Sequence, residues 1–233
     1  TRIEAGQQAI FRVRLSKAEL TAPWDQFDQV FEKRQMEMAA YYDAIIPEAV
    51  STEQKKLLRS SFSGLLWTKQ FYYHDVFKWL FGEPGDTAPP RDHRRNYDWQ
   101  HLTARNIISM PDKWEYPWFA AWDLAFHAAS FVHIDPQFAK EQLLLVLREY
   151  YMHPNGQIPA YEWNFSDVNP PVHAWGVWYV FEADKKKTGK PDWDFLERAF
   201  QKLLMNFTWW VNRKDANGTD IFEGGFLGLD NIG

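Results

Sequence analysis

Cysteine is absent from all 233 residues. That excludes a disulfide framework and a thiolate metal site, and it leaves the redox compartment open. No apolar run reaches the length of a membrane span, and no segment reads as a signal peptide. No membrane partner is expected, and the expected location is cytoplasmic. The Lys/Arg excess that a nucleic-acid partner requires is missing too: 26 basic side chains face 31 acidic ones, a net charge of −5. The one basic cluster, Arg91 to Arg95, is short and interrupted and reads as a solvated loop. HExxH, P-loop and GxGxxG patterns are lacking as well. Nothing in the sequence calls for a metal or any other cofactor.

Aromatic side chains are what the chain has in abundance. They make up 18% of the residues, with 13 Trp, more than a core alone needs, and a ring-lined cleft is the natural use for the surplus.

The apolar pattern is mostly helical. Phe27, Phe31, Met38, Tyr41/Tyr42 and Ile45 mark a first helix ending before Pro47. Ser51 and Gln54 form a capping-box pattern. A second, long helix is expected after it, with Leu58, Phe62, Leu65/Leu66, Tyr72/Tyr73, Val76 and Leu80 inside and Gly82 and Pro84 as its stop. A long irregular segment rich in Pro, Asp and Asn reaches to Trp118. The third helix is expected from Trp118 to about His133, with Pro117 suiting its first turn. Asp135-Pro136 starts a fourth, a fifth covers Val172 to about Lys187, and Asp192 caps a sixth. Its Trp193, Leu196, Phe200, Leu203, Phe207 and Trp210 recur at 3-4-3-4-3 spacing. Ahead of all these, Phe11, Val13 and Leu15 alternate with Arg12 and Arg14, a strand-like period of two. A lone strand needs partners, so residues 1–21 read as the linker and exit of an upstream β domain. Thr1 and the mid-loop character of residues 229–233 make both ends look like cuts in a longer protein.

Three helix pairs separated by long loops suit half of an α/α toroid, though pattern alone does not separate this from a solenoid or a bundle. Two stretches stand out. The stretch Trp114 to His127 puts Trp118/Phe119, Trp122/Asp123 and Phe126/His127 at helical spacing, so several rings and a carboxylate share one stripe. A carboxylate among rings must be hydrogen-bonded to be buried. Sugars present apolar ring faces to aromatics and hydroxyls to acidic acceptors, whereas an ordinary core helix would bond Asp123 to a donor such as His127. The loop from Gln157 to Pro171 holds Tyr161 and Trp163, either placed to stack on a sugar or packed inside. His173 reads as a structural histidine. Asn164, Asn206 and Asn217 match the N-glycosylation pattern by chance.

With those residues in view, the chain resembles glycoside hydrolase family 63, from about Trp24 to the end. Trp122-Asp123 resembles the family's segment in which an Asp binds hydroxyls of the sugar to be cleaved, with Tyr116 and Trp118 lining that subsite. Asn169-Pro170-Pro171-Val172 resembles a Gln-Pro-Pro turn leading into a helix, with the shorter Asn in place of Gln. Glu223-Gly224-Gly225-Phe226-Leu227-Gly228-Leu229-Asp230-Asn231 is similar to the loop that carries the general acid, which would be Asp230. The resemblance implies an (α/α)6 catalytic barrel, all-α in class, with residues 22–233 as its N-terminal half. It also implies an inverting hydrolase of an α-glucoside or α-mannoside, the substrate being an oligosaccharide or a small α-glycoside.

Inversion needs an acid to protonate the leaving oxygen and a base to activate water from the opposite face, with the two carboxyls roughly 6.5–9.5 Å apart. The family's base has no counterpart within these residues, so the remainder of the barrel is expected as a partner. Two other readings stay open: a sugar epimerase or isomerase using His127, His153 and His173, and a non-catalytic carbohydrate-binding module.

Overall fold

The computed structural model describes residues 2–85, 97, 99–100, 102–161, 169–212 and 218–219. Asp230 and Trp163 lie outside them. The chain divides into two compact units, Thr1–Lys55 and Lys56–Gly233.

In the first unit, α1 (Phe27–Ile45) occupies the expected span. Arg12 grips both carboxylate oxygens of Asp28 at 2.9 and 3.0 Å and lies over the Phe27 ring. The strand expected over residues 10–15 does not form: these residues are irregular, and Val13 and Leu15 are 82% and 100% exposed. Alternation makes a strand only where a neighbour satisfies the backbone groups, and the described residues offer none. The capping box holds at both ends. Ser51 N–H donates to Gln54 Oε1 at 2.8 Å, and Gln54 N–H to Ser51 Oγ at 3.3 Å.

The long second helix is a correction. Helix α2 (Thr52–Trp67) stops at Trp67, and β1 (Lys69–Asp75) and a short α3 (Val76–Phe81) follow. Strand β1 pairs antiparallel with β2 (Thr103–Ser109), Tyr72 opposite Asn106, so the segment before Trp118 is not wholly irregular either. The reason is two-fold periodicity in burial: Tyr72 is 4% exposed while its neighbours Phe71 and Tyr73 are 66% and 48% exposed. The fold is therefore mostly helical with a small two-stranded sheet, rather than purely α.

Helix α4 (Ala121–Phe131) starts three residues later than expected, and Pro117 is not in its first turn. Tertiary contacts set the start: Ala120 bridges to Tyr161, and Ala121 N–H donates to Ala160 O at 2.8 Å. Trp118 remains outside the helix and packs on the core around Leu124, Leu145 and Tyr151.

Helix α5 (Pro136–Val146) is capped by Asp135, whose Oδ1 accepts from Phe138 N–H at 3.1 Å. Its Oδ2 accepts from Lys69 at 2.6 Å, tying the sheet to α5. Helix α6 (Val172–Thr188) ends at Gly189, which takes the left-handed conformation, with Lys185, Lys186 and Lys187 in the last turn. Helix α7 (Trp193–Asn212) begins at Asp192, which accepts from Phe195 N–H at 3.1 Å. Lys140 of α5 is 2.6 Å from both Asp184, inside the C-terminal part of α6, and Asp192, the cap of α7. At Gly176 α6 packs against α5 and α4, where a Cβ would stand at ordinary contact distance, 3.4 Å from Leu143 and 3.5 Å from Ala125. Helix α4 packs against α5 and α6, while α7 packs against α5 and α6.

Candidate active site

The N-terminal ends of α4 and α6 meet at a small recess. Trp122 comes from the first turn of α4, Asn169 and His173 from the entry to α6, Ile158 from the preceding loop, and Asn206 and Trp210 from α7. Local chemistry fixes each. Pro170 and Pro171 restrict φ and have no N–H to satisfy, and Pro171, at φ −76° and ψ 56°, turns the chain into Val172 through an inverse γ-turn. Val172 N–H then donates to Pro170 O at 2.7 Å, and Asn169 is left 8% exposed. Asn206 Nδ2 donates to Gly156 O at 2.7 Å and staples the 153–161 loop to α7.

Two buried acceptors belong to this recess. His173, 5% exposed, donates from Nε2 to the Leu143 carbonyl at 2.9 Å. A carbonyl can only accept, so the proton sits on Nε2 and Nδ1 presents a lone pair. Burial pushes the imidazole down to about 4, against a smaller upward pull from the Leu143 bond, so it is neutral at pH 7. Among the described residues, His173 Nδ1 and Asn169 Oδ1 have no hydrogen-bond partner. The space between the lining side chains is about 30 Å³. That admits about two oxygen-sized groups, at roughly 10–15 Å³ each, but not a sugar ring.

Asp123 lies on the adjacent face of α4, half-buried. One turn on, His127 Nδ1 is 2.5 Å from Ser109 Oγ, which is 2.8 Å from Thr68 Oγ1. Thr68 gives its proton to Leu65 O at 2.7 Å. Ser109 therefore donates to Thr68, and His127 donates from Nδ1 to Ser109. Burial lowers the His127 pKa, while the Asp123 charge pulls the other way.

Of the residues singled out from the sequence, Trp122 and Asn169 come together in the recess. Tyr116 and Trp118 form an edge-to-face pair with centroids 5.5 Å apart. Tyr161 is held beside Ala120 by the bridge that starts α4. Trp163 and Asp230, with Glu162 and Glu223, lie outside the described residues. His127, His153 and His173 engage separate partners: Ser109, the Asn155 N–H and the Leu143 carbonyl. Among the described residues no three His, Asp or Glu side chains are grouped to hold a metal ion. Asn206 and Trp210 were not foreseen as site residues. A lone Asn in the apolar stripe of the sixth helix was the available signal.

The chain is 57% identical over 212 residues to an uncharacterized protein of Saccharomyces cerevisiae, covering 90% of this chain and 20% of the yeast protein. It thus spans about one fifth of the length of that relative. No solved structure matches. Residues 116–225 match the family model of the mannosylglycerate hydrolase MGH1-like glycoside hydrolase domain. All the residues described as lining the recess fall inside the matched segment, over which the chain is similar to that glycoside hydrolase domain.

Proposed function

We propose that these residues form the N-terminal half of an (α/α)6 catalytic barrel in an inverting glycosidase. The enzyme would remove a terminal α-glucosyl or α-mannosyl residue from an oligosaccharide or small α-glycoside. The observation that carries this reading is the meeting of Trp122 and Asn169 at one recess, from two segments distant in sequence. The packing of α4 beside α6 and of α5 beside α7 supports it, because alternate helices of a toroid form its inner and outer rings.

In this reading Trp122 and Tyr116 offer ring faces to the terminal sugar, assisted by Trp118, Tyr161 and Trp163. Asp123 and Asn169 take its hydroxyls. Asp230 protonates the leaving oxygen, and the rest of the barrel supplies the carboxylate that activates water. Asp230→Asn in the whole protein tests the assignment. Hydrolysis of an aryl α-glycoside is expected to be abolished with the circular dichroism spectrum unchanged, and wild-type turnover would reject it.

A further inference from the structure

The recess is defined by what it lacks. Its two orphaned polar atoms, Asn169 Oδ1 and His173 Nδ1, are both acceptors. A buried acceptor left unmatched is unfavourable, so whatever fills this space must bring protons. The space of about 30 Å³ is apolar on its Ile158, Trp122 and Trp210 sides. Two water-sized oxygens fit, while the body of a larger ligand must stay at the mouth, against the indole rings.

We infer that the recess is a donor-selective subsite for a vicinal pair of sugar hydroxyls, one donating to Asn169 Oδ1 and the other to His173 Nδ1. This rests on the carbohydrate reading above and adds to it a residue, His173, and a polarity. The Leu143 carbonyl holds Nε2–H, and this fixes the tautomer that faces the ligand. His173 thus does two jobs with one ring: it ties α6 to α5 and it accepts from the sugar. Two neighbouring hydroxyls of a pyranose supply the two protons and the two oxygen volumes that this space takes, with the ring left outside.

Fluorine tests the polarity, because a C–F group replaces the hydroxyl in size but cannot donate. Methyl α-D-glucopyranoside and methyl α-D-mannopyranoside, each with single deoxy and deoxyfluoro replacements around the ring, would be titrated into the whole protein. At two adjacent positions the fluoro analogue should bind about tenfold or more weakly than the parent and no better than the deoxy analogue. His173→Phe should erase that discrimination at one of the two positions and leave the others unchanged. Nitrogen-15 spectra of the wild-type imidazole give a readout independent of any variant's folding. Saturation with the parent glycoside should shift the His173 Nδ1 resonance while Nε2 stays protonated. Fluoro analogues that bind as well as the parent at every position, or an unmoved Nδ1 resonance in the sugar-bound protein, would overturn the inference alone. Failure of every glycoside to bind would remove the carbohydrate reading with it.

Discussion

Gly156 and Met205 touch backbone to backbone. A Cβ on Gly156 would overlap the Met205 carbonyl and stand 3.3 Å from the Trp209 Cβ, and the residue has φ +95°. Asn206, next to Met205, receives its hydrogen-bond acceptor from this same glycine. The turn at 153–156 is therefore seated on α7 and carries Ile158 into the wall of the recess.

Gly156→Ala should be among the more destabilising single changes in the chain. The left-handed conformation alone costs a non-glycine residue about 1–2 kcal/mol, and the overlap adds to it. Gly189 is the control: it has φ +73° and nothing within 4 Å of a built Cβ. Urea midpoints should fall for both alanine variants, and clearly further for Gly156→Ala. Equal losses would mean that the contact with α7 is not tight.

The buried His173 makes stability depend on pH. Its folded pKa, about 4, lies below the ordinary value of 6.5. Between those values the unfolded chain takes up a proton that the folded one refuses, so stability falls as pH drops from about 6.5 to about 4 and then levels off. A difference of about 2.5 units corresponds to about 3 kcal/mol at the acid end. His127 is shifted in the same direction and contributes with the same sign. In urea melts from pH 7.5 to pH 4, the stability gap between wild type and His173→Gln should narrow as pH falls. A constant gap would show that the imidazole titrates normally.

Lys140 is the charge between two acids, with its side chain 11% exposed and that of Asp184 8% exposed. Burial works to lower its pKa, but the bonds from Asp184 and Asp192 prevail and hold it above the usual lysine value. Lys140→Met should cost about 3–5 kcal/mol, because it strands a buried carboxylate. Lys140→Met with Asp184→Leu should recover much of that loss, since no unpaired charge remains buried. A double variant no more stable than Lys140→Met would place the cost in packing rather than charge.

Local signals in the sequence were legible, and those made by distant partners were not. Ser51 with Gln54, Asp135 with Phe138 and Asp192 with Phe195 are caps decided within four residues, and all three form. The sheet was hidden because Tyr72, Val76 and Leu80 fit a helical repeat as well as Tyr72 fits a strand facing inward. Only pairing with residues 103–109, far along the chain, decides between them. The late start of α4 has the same origin, in Ala160 and Tyr161. Trp122 and Asn169 stand out from their neighbours in sequence and line one recess, whereas Asn206, which lines it too, looks like any polar residue on an apolar helix. His173 was half legible: its Nε2 is structural, as read, while the orphaned Nδ1 emerges only from packing.

The stereochemistry of the first product tests the account most directly. The whole protein would be incubated with aryl α-glucosides and with glucose- or mannose-capped disaccharides, and the anomeric proton of the released sugar followed by NMR from the first minutes. An inverting enzyme delivers the β-anomer first, with the α-anomer growing in by mutarotation. Initial release of the α-anomer, or no hydrolysis of any α-glycoside, would contradict the account.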